Sequence, residues 1–433
     1  MIKSTPTKVL VLGLMLVLAT GLLVGKTTVA QQDTLDFWHI QTAETERAIY
    51  EKAVELFTEV NPNVNVNISV IQNDPYKDKL KVAMGANDAP DIWTSWGGGV
   101  LKEYVDGGKV ADLTELLHET GHIDKFPEAT LKPVTFDGKI YGVPVETLAG
   151  VVVWYNESLF EEYDLEVPET WAELEEVAKT LKANGITPFS LANKSAWPGT
   201  EWYEYLVLRL AGYDKVVKTL NNEPGHSMTD EPFVEAGRLI QDFIDKGFFN
   251  KGYSSLSYDR GGSRRLLYAN QAAMEVMGSW EYGVALSENP EWTEENMFLF
   301  PFPMIEGGEG DSSSLIGSPG QNYLHIARST ENKEAAFDVI RKFANEEVLK
   351  QKIEIGHVPP VKDVEHLFED RVVKETYKLF TGAKNIILYW DQLLAPTLAE
   401  THKDLCTQLL NLSITPQQYG ERMEKAIEEY YEE

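Results

Sequence analysis

Between Asn63 and Ile71 the chain reads NVNVNISVI, with Val64, Val66, Ile68 and Val70 alternating against Asn63, Asn65, Asn67 and Ser69. A period of two marks a strand with one buried and one wet face. Ahead of it stands the apolar run TLDFWHI, ending at Gln41 and Thr42. Then comes a segment with Ile49, Ala53, Leu56, Phe57 and Val60 on one helical face, stopped by Asn61 and Pro62. Strand, helix, strand implies a parallel crossover unit, since a helix must return the chain before a second strand can run the same way. The pattern repeats with a helix around Tyr76 to Met84 and a strand in APDIWTSW, whose end carries Trp93 and Trp96 before three glycines. In open parallel sheets, ligands gather at the carboxyl ends of the strands.

A chain of 433 residues is too long for one ordinary core, and two lobes are the simplest division. In DGKIYGVPVETLAGVVVWYN a lone acid, Glu146, stands between two short apolar runs, the layout of a chain leaving one sheet and entering another. Beyond it, Thr170 and Glu173 form a capping box for a helix whose stripe is Trp171, Leu174, Val177, Ala178 and Leu181, with Gly185 as its end. TPFSLAN and NQAAMEVMGSW read as buried strands, and GEGDSSSLIGSPGQNYLHIA as a loop returning to a strand. From Ser329 onward the chain reads as mostly helical, with Tyr419, Met423, Ala426, Ile427 and Tyr430 spaced for a docked final helix.

The first thirty residues differ. Lys3 and Lys8 precede an apolar run from Val9 to Val24, followed by Lys26 and TTVAQQ, with Thr28 and Ala30 as the small residues before a cut. This is the layout of a secretory signal peptide at residues 1–30. The run is shorter than the roughly 20 residues of a spanning helix, so an uncleaved anchor is the weaker reading. The single cysteine, Cys406, lies far from that cut. There is thus no lipobox Cys, and a soluble periplasmic or extracellular protein, secreted across the inner membrane, is expected. In DLCTQLL, Cys406 reads as a small hydrophobe of an amphipathic helix.

Charge and motifs exclude several classes. With 39 basic against 68 acidic side chains the formal charge is −29, which repels nucleic acid and anionic membranes. There is no GxSxG, HExxH or P-loop. RGGSRR at 260–265 lacks the GK ending, so its arginines are expected to flank a helix start or touch a partner. The histidines show no ligand spacing, His118 and His122 lying across a helix end at Gly121, and no metal is expected.

The markers APDIWTSWGGG, VADLTELL, DGKIYGVPVE, VVVWYNESLF, VPETWAELEEVAKTLKANGITPFSL, QAAMEVMGSWEYG and GQNYLHIARSTENKEAAFDVIRKF stand in an order and spacing that resemble the family 1 extracellular solute-binding proteins of ABC sugar importers. The resemblance covers nearly the whole mature chain. It implies an α/β, two-lobed periplasmic-binding-protein fold, each lobe a mostly parallel sheet flanked by helices and the lobes joined by hinge crossings. A first lobe at 31–144 plus 318–345 and a second at 145–317 plus 346–433 are expected. It further implies a carbohydrate ligand, expected to be an oligosaccharide, ABC permease subunits as partners, no cofactor, no catalytic residue, and a monomer.

Position in the family pattern nominates the site. Trp96 matches a first-lobe aromatic that faces sugar, and Glu146 a hinge carboxylate that accepts sugar hydroxyls. Trp197 in NKSAWPG and Trp280 in MGSWEYG match stacking aromatics. Tyr389 and Trp390 occupy the place of a late aromatic facing the cleft, either ring being the inward one, with Asp391 beside them as a hydroxyl acceptor. His39 and Glu44 stand where the family places polar ligands to sugar, although His39 suits a structural role equally. Gln321, at the second crossing, would bind either sugar or hinge, and Asp74 and Lys79 read as solvated charges. The chain departs from the family's best-known member in several loops and between Trp197 and Trp202, so the resemblance does not carry the sugar's identity.

Physical chemistry supports sugar independently. A pyranose has apolar C–H faces and a polar rim, which aromatic planes combined with charged or amide groups hold well, and the chain has ten Trp. A secreted glycoside hydrolase would need two carboxylates roughly 5 to 9 Å apart and would release products. A receptor for a non-sugar solute would carry fewer cleft aromatics or a charged cluster. In a two-lobed receptor, a ligand touching both lobes stabilises the closed state by its differential affinity for it.

Overall fold

The computed structural model describes residues 33–432, so the expected signal peptide at 1–30 lies outside them. Asp33–His39 pairs in parallel with Val64–Val70 along its whole length, Asp33 opposite Val64 and His39 opposite Val70, and with Ile92–Ser95 on its other side. The helices Glu44–Thr58 and Asn73–Ala86 make the two crossovers. Ile49, Ala53 and Phe57 are buried as expected, but Val60 is exposed. The helix has ended by then, and the Asn61 side chain donates to the Phe57 carbonyl at 3.1 Å to close it. Two later strands complete this sheet: Tyr323–Ile326 runs antiparallel to Ile92–Ser95, and Val143–Pro144 antiparallel to Tyr323–Ile326.

The second sheet is built around Ala149–Asn156, buried at every position. It meets Ala272–Gly278, Met297–Phe300 and Ser314–Ser318 antiparallel, while Thr187–Phe189 and Asn385–Ile387 add parallel edges. The α/β two-lobed architecture is as expected. In the second sheet five strands run the same way and the central one, Ala149–Asn156, runs against them. Thr170 caps the helix Trp171–Ala183 through a complete capping box, and Trp171, Leu174, Val177, Ala178 and Leu181 are all buried beneath it.

Each sheet has its own apolar core. Val348, in the helix Glu346–Glu354, is buried in the first core, beyond the residue 345 limit expected for that lobe. Cys406 is buried in the second. In the final helix, Pro416–Glu432, Tyr419, Met423 and Ile427 are buried, whereas Tyr430 is exposed. Among the described residues no helix is long and apolar enough to cross a membrane.

The chain passes between the sheets through residues 145–148, again through 319–322, and a third time after Glu346–Glu354. The first and third passages are bonded together: Leu148 N donates to Val358 O at 2.8 Å, and Val358 N to Thr147 Oγ1 at 3.0 Å. The glycines after Trp96 have a packing reason. A Cβ at Gly99 would lie 2.6 Å from the Leu394 carbonyl carbon, so only glycine lets the segment after Trp390 approach the first lobe so closely.

Candidate ligand-binding cleft

A cavity of about 150 Å³ lies where the carboxyl ends of the first-lobe strands face the second lobe. Gln41, Glu46, Gln72, Lys77 and Trp96 line it from the first lobe. Trp197, Glu201, Tyr258, Arg264, Trp280, Tyr389 and Asp391 face them, and Glu146, Gln321 and Asn322 come from the crossings.

The aromatic walls are held rigidly. Trp280 follows the buried strand Ala272–Gly278, and its ring lies over Gly278, where a Cβ would stand 2.5 Å from Trp280 Cε3 and closer to its neighbours. Its indole Nε1 donates to Tyr258 Oη at 2.8 Å, and Tyr258 donates to Glu281 Oε2 at 2.5 Å. Trp197 meets Tyr258 edge-on at 4.9 Å between centroids, and Tyr389 lies 5.8 Å from Trp280. Trp197 opens its helix immediately after Ala196, whose φ of 67° is strained for a residue with a side chain. Across the cleft, Trp96 packs edge-on against Tyr76 at 6.2 Å, with Lys77 Nζ 5.0 Å from its ring.

The floor is acidic. Glu146 is buried and accepts from Asn322 Nδ2 and, at 3.5 Å, from Tyr50 Oη. Burial pushes its carboxyl up to about 7, opposed by these hydrogen bonds and by the ammonium of Lys352. Glu46 is pushed up to about 8, first by burial and then by the like charge of Glu146. His357 Nε2 lies 3.7 Å from Glu46 Oε1, and atoms of Glu46, Glu146 and His357 that could ligate an ion converge within 4.8 Å. Lys352, buried and lowered by that burial to about 7, already supplies positive charge beside Glu146, so this trio reads as a hinge network. Arg264 is buried too, bonded to Glu288 at 2.9 and 3.0 Å and to Glu281 at 3.4 Å.

Of the residues expected at the site, Trp96, Glu146, Trp197, Trp280, Tyr389, Asp391 and Gln321 line the cavity, while Trp390, His39 and Glu44 do not. The short helix Trp390–Leu393 turns Trp390 into the second core, 5.0 Å from the His402 ring and 5.9 Å from Tyr203. His39 is fully buried and stacked on Tyr50 at 4.1 Å, and burial lowers it to about 3, so it stays neutral. Glu44 points to solvent at the start of its helix, and Glu46, two residues on, reaches the cavity instead. Asp74 is not simply solvated, since it accepts from Ser195 Oγ across the cleft. Lys79 is exposed but lies 3.9 Å over the Trp38 ring.

Glu46, Glu201, Tyr258 and Arg264 were not foreseen. RGGSRR does open the short helix Arg264–Tyr268 as expected, but Arg264 turns inward rather than toward a partner. A signal was present: Glu275 interrupts the otherwise apolar strand AAMEVMG, and a buried carboxyl in such a strand calls for a nearby cation.

Two lobes joined by bonded crossings, with an aromatic and acidic cavity between them, form a cleft suited to a small polar solute. Residues 41–350 match the profile of the bacterial extracellular solute-binding protein family, and the chain belongs to that family. Its members bind solutes and do not transform them, so this chain is a binding protein, not an enzyme. A solved structure described in work on xylan utilization by the thermophilic bacterium Caldanaerobius polysaccharolyticus is 31% identical, with a TM-score of 0.85, over 91% of this chain and 100% of that one. A chitin oligosaccharide binding protein is 27% identical, with a TM-score of 0.84, over 92% of this chain and 99% of that one. An uncharacterized ABC transporter extracellular-binding protein of Pyrococcus horikoshii is 25% identical over 59% of this chain and 58% of its own length, so this chain spans less than two thirds of that relative.

Proposed function

We propose that the protein is the solute receptor of an ABC importer, capturing a sugar in the interlobe cleft, closing on it and delivering it to the permease. The observation that carries the reading is the set of aromatic planes from both lobes, Trp96 on one side and Trp197, Trp280 and Tyr389 on the other, around one cavity. Flat apolar rings with hydrogen-bonding groups at their edges match the faces and rim of a pyranose. In this reading Glu146, Glu201, Asp391 and Gln321 accept sugar hydroxyls. The relatives named in connection with xylan and with chitin oligosaccharides support the same class.

An oligosaccharide fits better than a single ring. A second, more open groove of about 440 Å³ shares Gln72, Lys77, Trp197 and Asp259 with the cavity and continues it outward, leaving room for further units. We take the receptor to be an exported monomer with lobes divided at the crossings. Calorimetry against xylobiose, xylotriose, N,N′-diacetylchitobiose and raffinose is expected to show saturable binding with no shortened products. Trp96→Ala and Trp280→Ala should each abolish that binding in a folded protein. Unchanged affinity in both variants would remove the assigned site, and release of cleaved sugar would overturn the receptor reading.

A further inference from the structure

The polar atoms of the cavity wall that have no protein partner are mostly of one kind. Both carboxyl oxygens of Glu201, Gln321 Oε1, Asn322 Oδ1 and Gln392 Oε1 are buried acceptors without a donor. Facing them are one indole N–H, on Trp197, and the hydroxyl of Tyr389, which can serve either way. The ionisable groups lean the same way. Glu46, Glu146, Glu201, Asp259 and Asp391 line the cavity against only Lys77 and Arg264, and Arg264 is already committed to Glu281 and Glu288.

Glu201 is the sharpest case. It sits one helical turn after Trp197 and is 1% exposed, and once ionised its carboxyl offers acceptors alone. Burial raises its pKa well above the ordinary carboxyl range, and the nearby carboxyls of Glu204 and Asp391 push in the same direction. Ligand hydroxyls donating to both oxygens favour the ionised form and so offset that burial. A ligand carboxylate or sulfate has no hydrogen to donate and adds like charge in a poorly screened site.

Resting on the sugar reading, we propose that Glu201 sets the selectivity of this cleft: it accepts hydroxyl hydrogens from an uncharged sugar and excludes sugars bearing an acidic group. The test pairs neutral probes with acidic ones on the wild-type protein: galactose with galacturonate, glucose with glucuronate, and xylotriose with its glucuronic-acid-branched form. Neutral members should bind at least about 10-fold more tightly, the loss expected when a hydrogen bond to a charged group is replaced by an unpaired acceptor. Glu201→Gln keeps the shape and removes the ionisable carboxyl. It should weaken neutral sugars about 10-fold and bring the neutral-to-acidic ratio toward one, with Asp391→Asn as the second variant should the first fail to fold. Acidic sugars binding as tightly as neutral ones would overturn the inference while leaving the sugar reading intact. An unchanged ratio in Glu201→Gln, with Asp391→Asn collapsing it, would do the same. Binding of neither class would overturn the sugar reading itself.

Discussion

Gly278→Ala is a perturbation whose effect can be worked out from one contact. The added methyl would stand 2.5 Å from Trp280 Cε3 and closer to the adjacent ring atoms, and the three nearest atoms to it all belong to that one ring. Gly278 sits within a paired strand, opposite Val151, so its backbone cannot retreat and the indole must move. Overpacking of this kind costs about 1–3 kcal/mol, and losing the Trp280 Nε1 to Tyr258 bond of 2.8 Å adds about 1 kcal/mol. A destabilisation of about 2–4 kcal/mol follows, together with loss of sugar affinity because a cleft wall has been displaced. The assay is a double-mutant cycle by denaturant unfolding, paired with calorimetry. In a Trp280→Ala background the ring that crowds the methyl is gone, so the cost of Gly278→Ala should shrink to a few tenths of a kcal/mol. The same cost in both backgrounds would refute the reasoning, because the strain would then lie in the strand and not under the ring.

Trp390→Ala should cost about 3–5 kcal/mol as a core truncation, whereas Tyr389→Phe should leave the unfolding midpoint nearly unchanged and lower sugar affinity; the opposite pattern would reverse the placement of these neighbours. Glu46, raised from 4.5 to about 8 by burial, contributes stability that is fully present below pH 4.5 and is lost as pH rises through 8. Glu46→Gln should therefore melt near the wild type at pH 4.5 and above it at pH 9, and parallel melting curves at both pH values would count against that assignment. Ser195→Ala removes the bond to Asp74 across the cleft, so small-angle scattering should report a larger radius of gyration for the ligand-free protein and calorimetry a weaker affinity, while unchanged scattering would mean the bond does not hold the lobes together.

How much could be read in advance depended on whether a signal was local. Thr170 with Glu173, and the stripe from Trp171 to Leu181, follow from capping chemistry and a 3.6-residue period, and both appear as expected. The alternation from Val64 to Val70 identified a strand with one wet face and, with the preceding helix, a parallel crossover. Orientation around a short helix is less local. Nothing in NIILYWDQLL distinguishes Tyr389 from Trp390; the helix from Pro396 to Leu410, which brings His402 against Trp390, decides it. Glu46 and Arg264 were missed for a related reason. A charged side chain looks solvated in one dimension, and the groups that surround these two, Glu146 and His357 for Glu46 and Glu281 for Arg264, lie more than fifteen residues away in the chain. Val60 and Tyr430 show the converse: a periodic pattern persists past the point where the packing partner ends.

On the proposed selectivity, the same groups would also govern closing of the cleft. In the structure Asp74 accepts from Ser195 across the lobes, and Glu201, Gln321 and Gln392 are buried with acceptors unmet. Each such acceptor costs roughly 1–3 kcal/mol when dry and unpaired, and opening the lobes returns it to water. A sugar hydroxyl removes the cost without opening. Moving a two-state equilibrium from 1:99 to 99:1 takes about 5.5 kcal/mol of differential affinity, which about two to six satisfied acceptors supply at roughly 1–3 kcal/mol each. A ligand that stacks on Trp280 but leaves Glu201 unpaired gains affinity from its faces and little closure. Donor groups on the sugar rim, more than apolar area, therefore decide whether binding becomes a closed receptor that a permease can recognise.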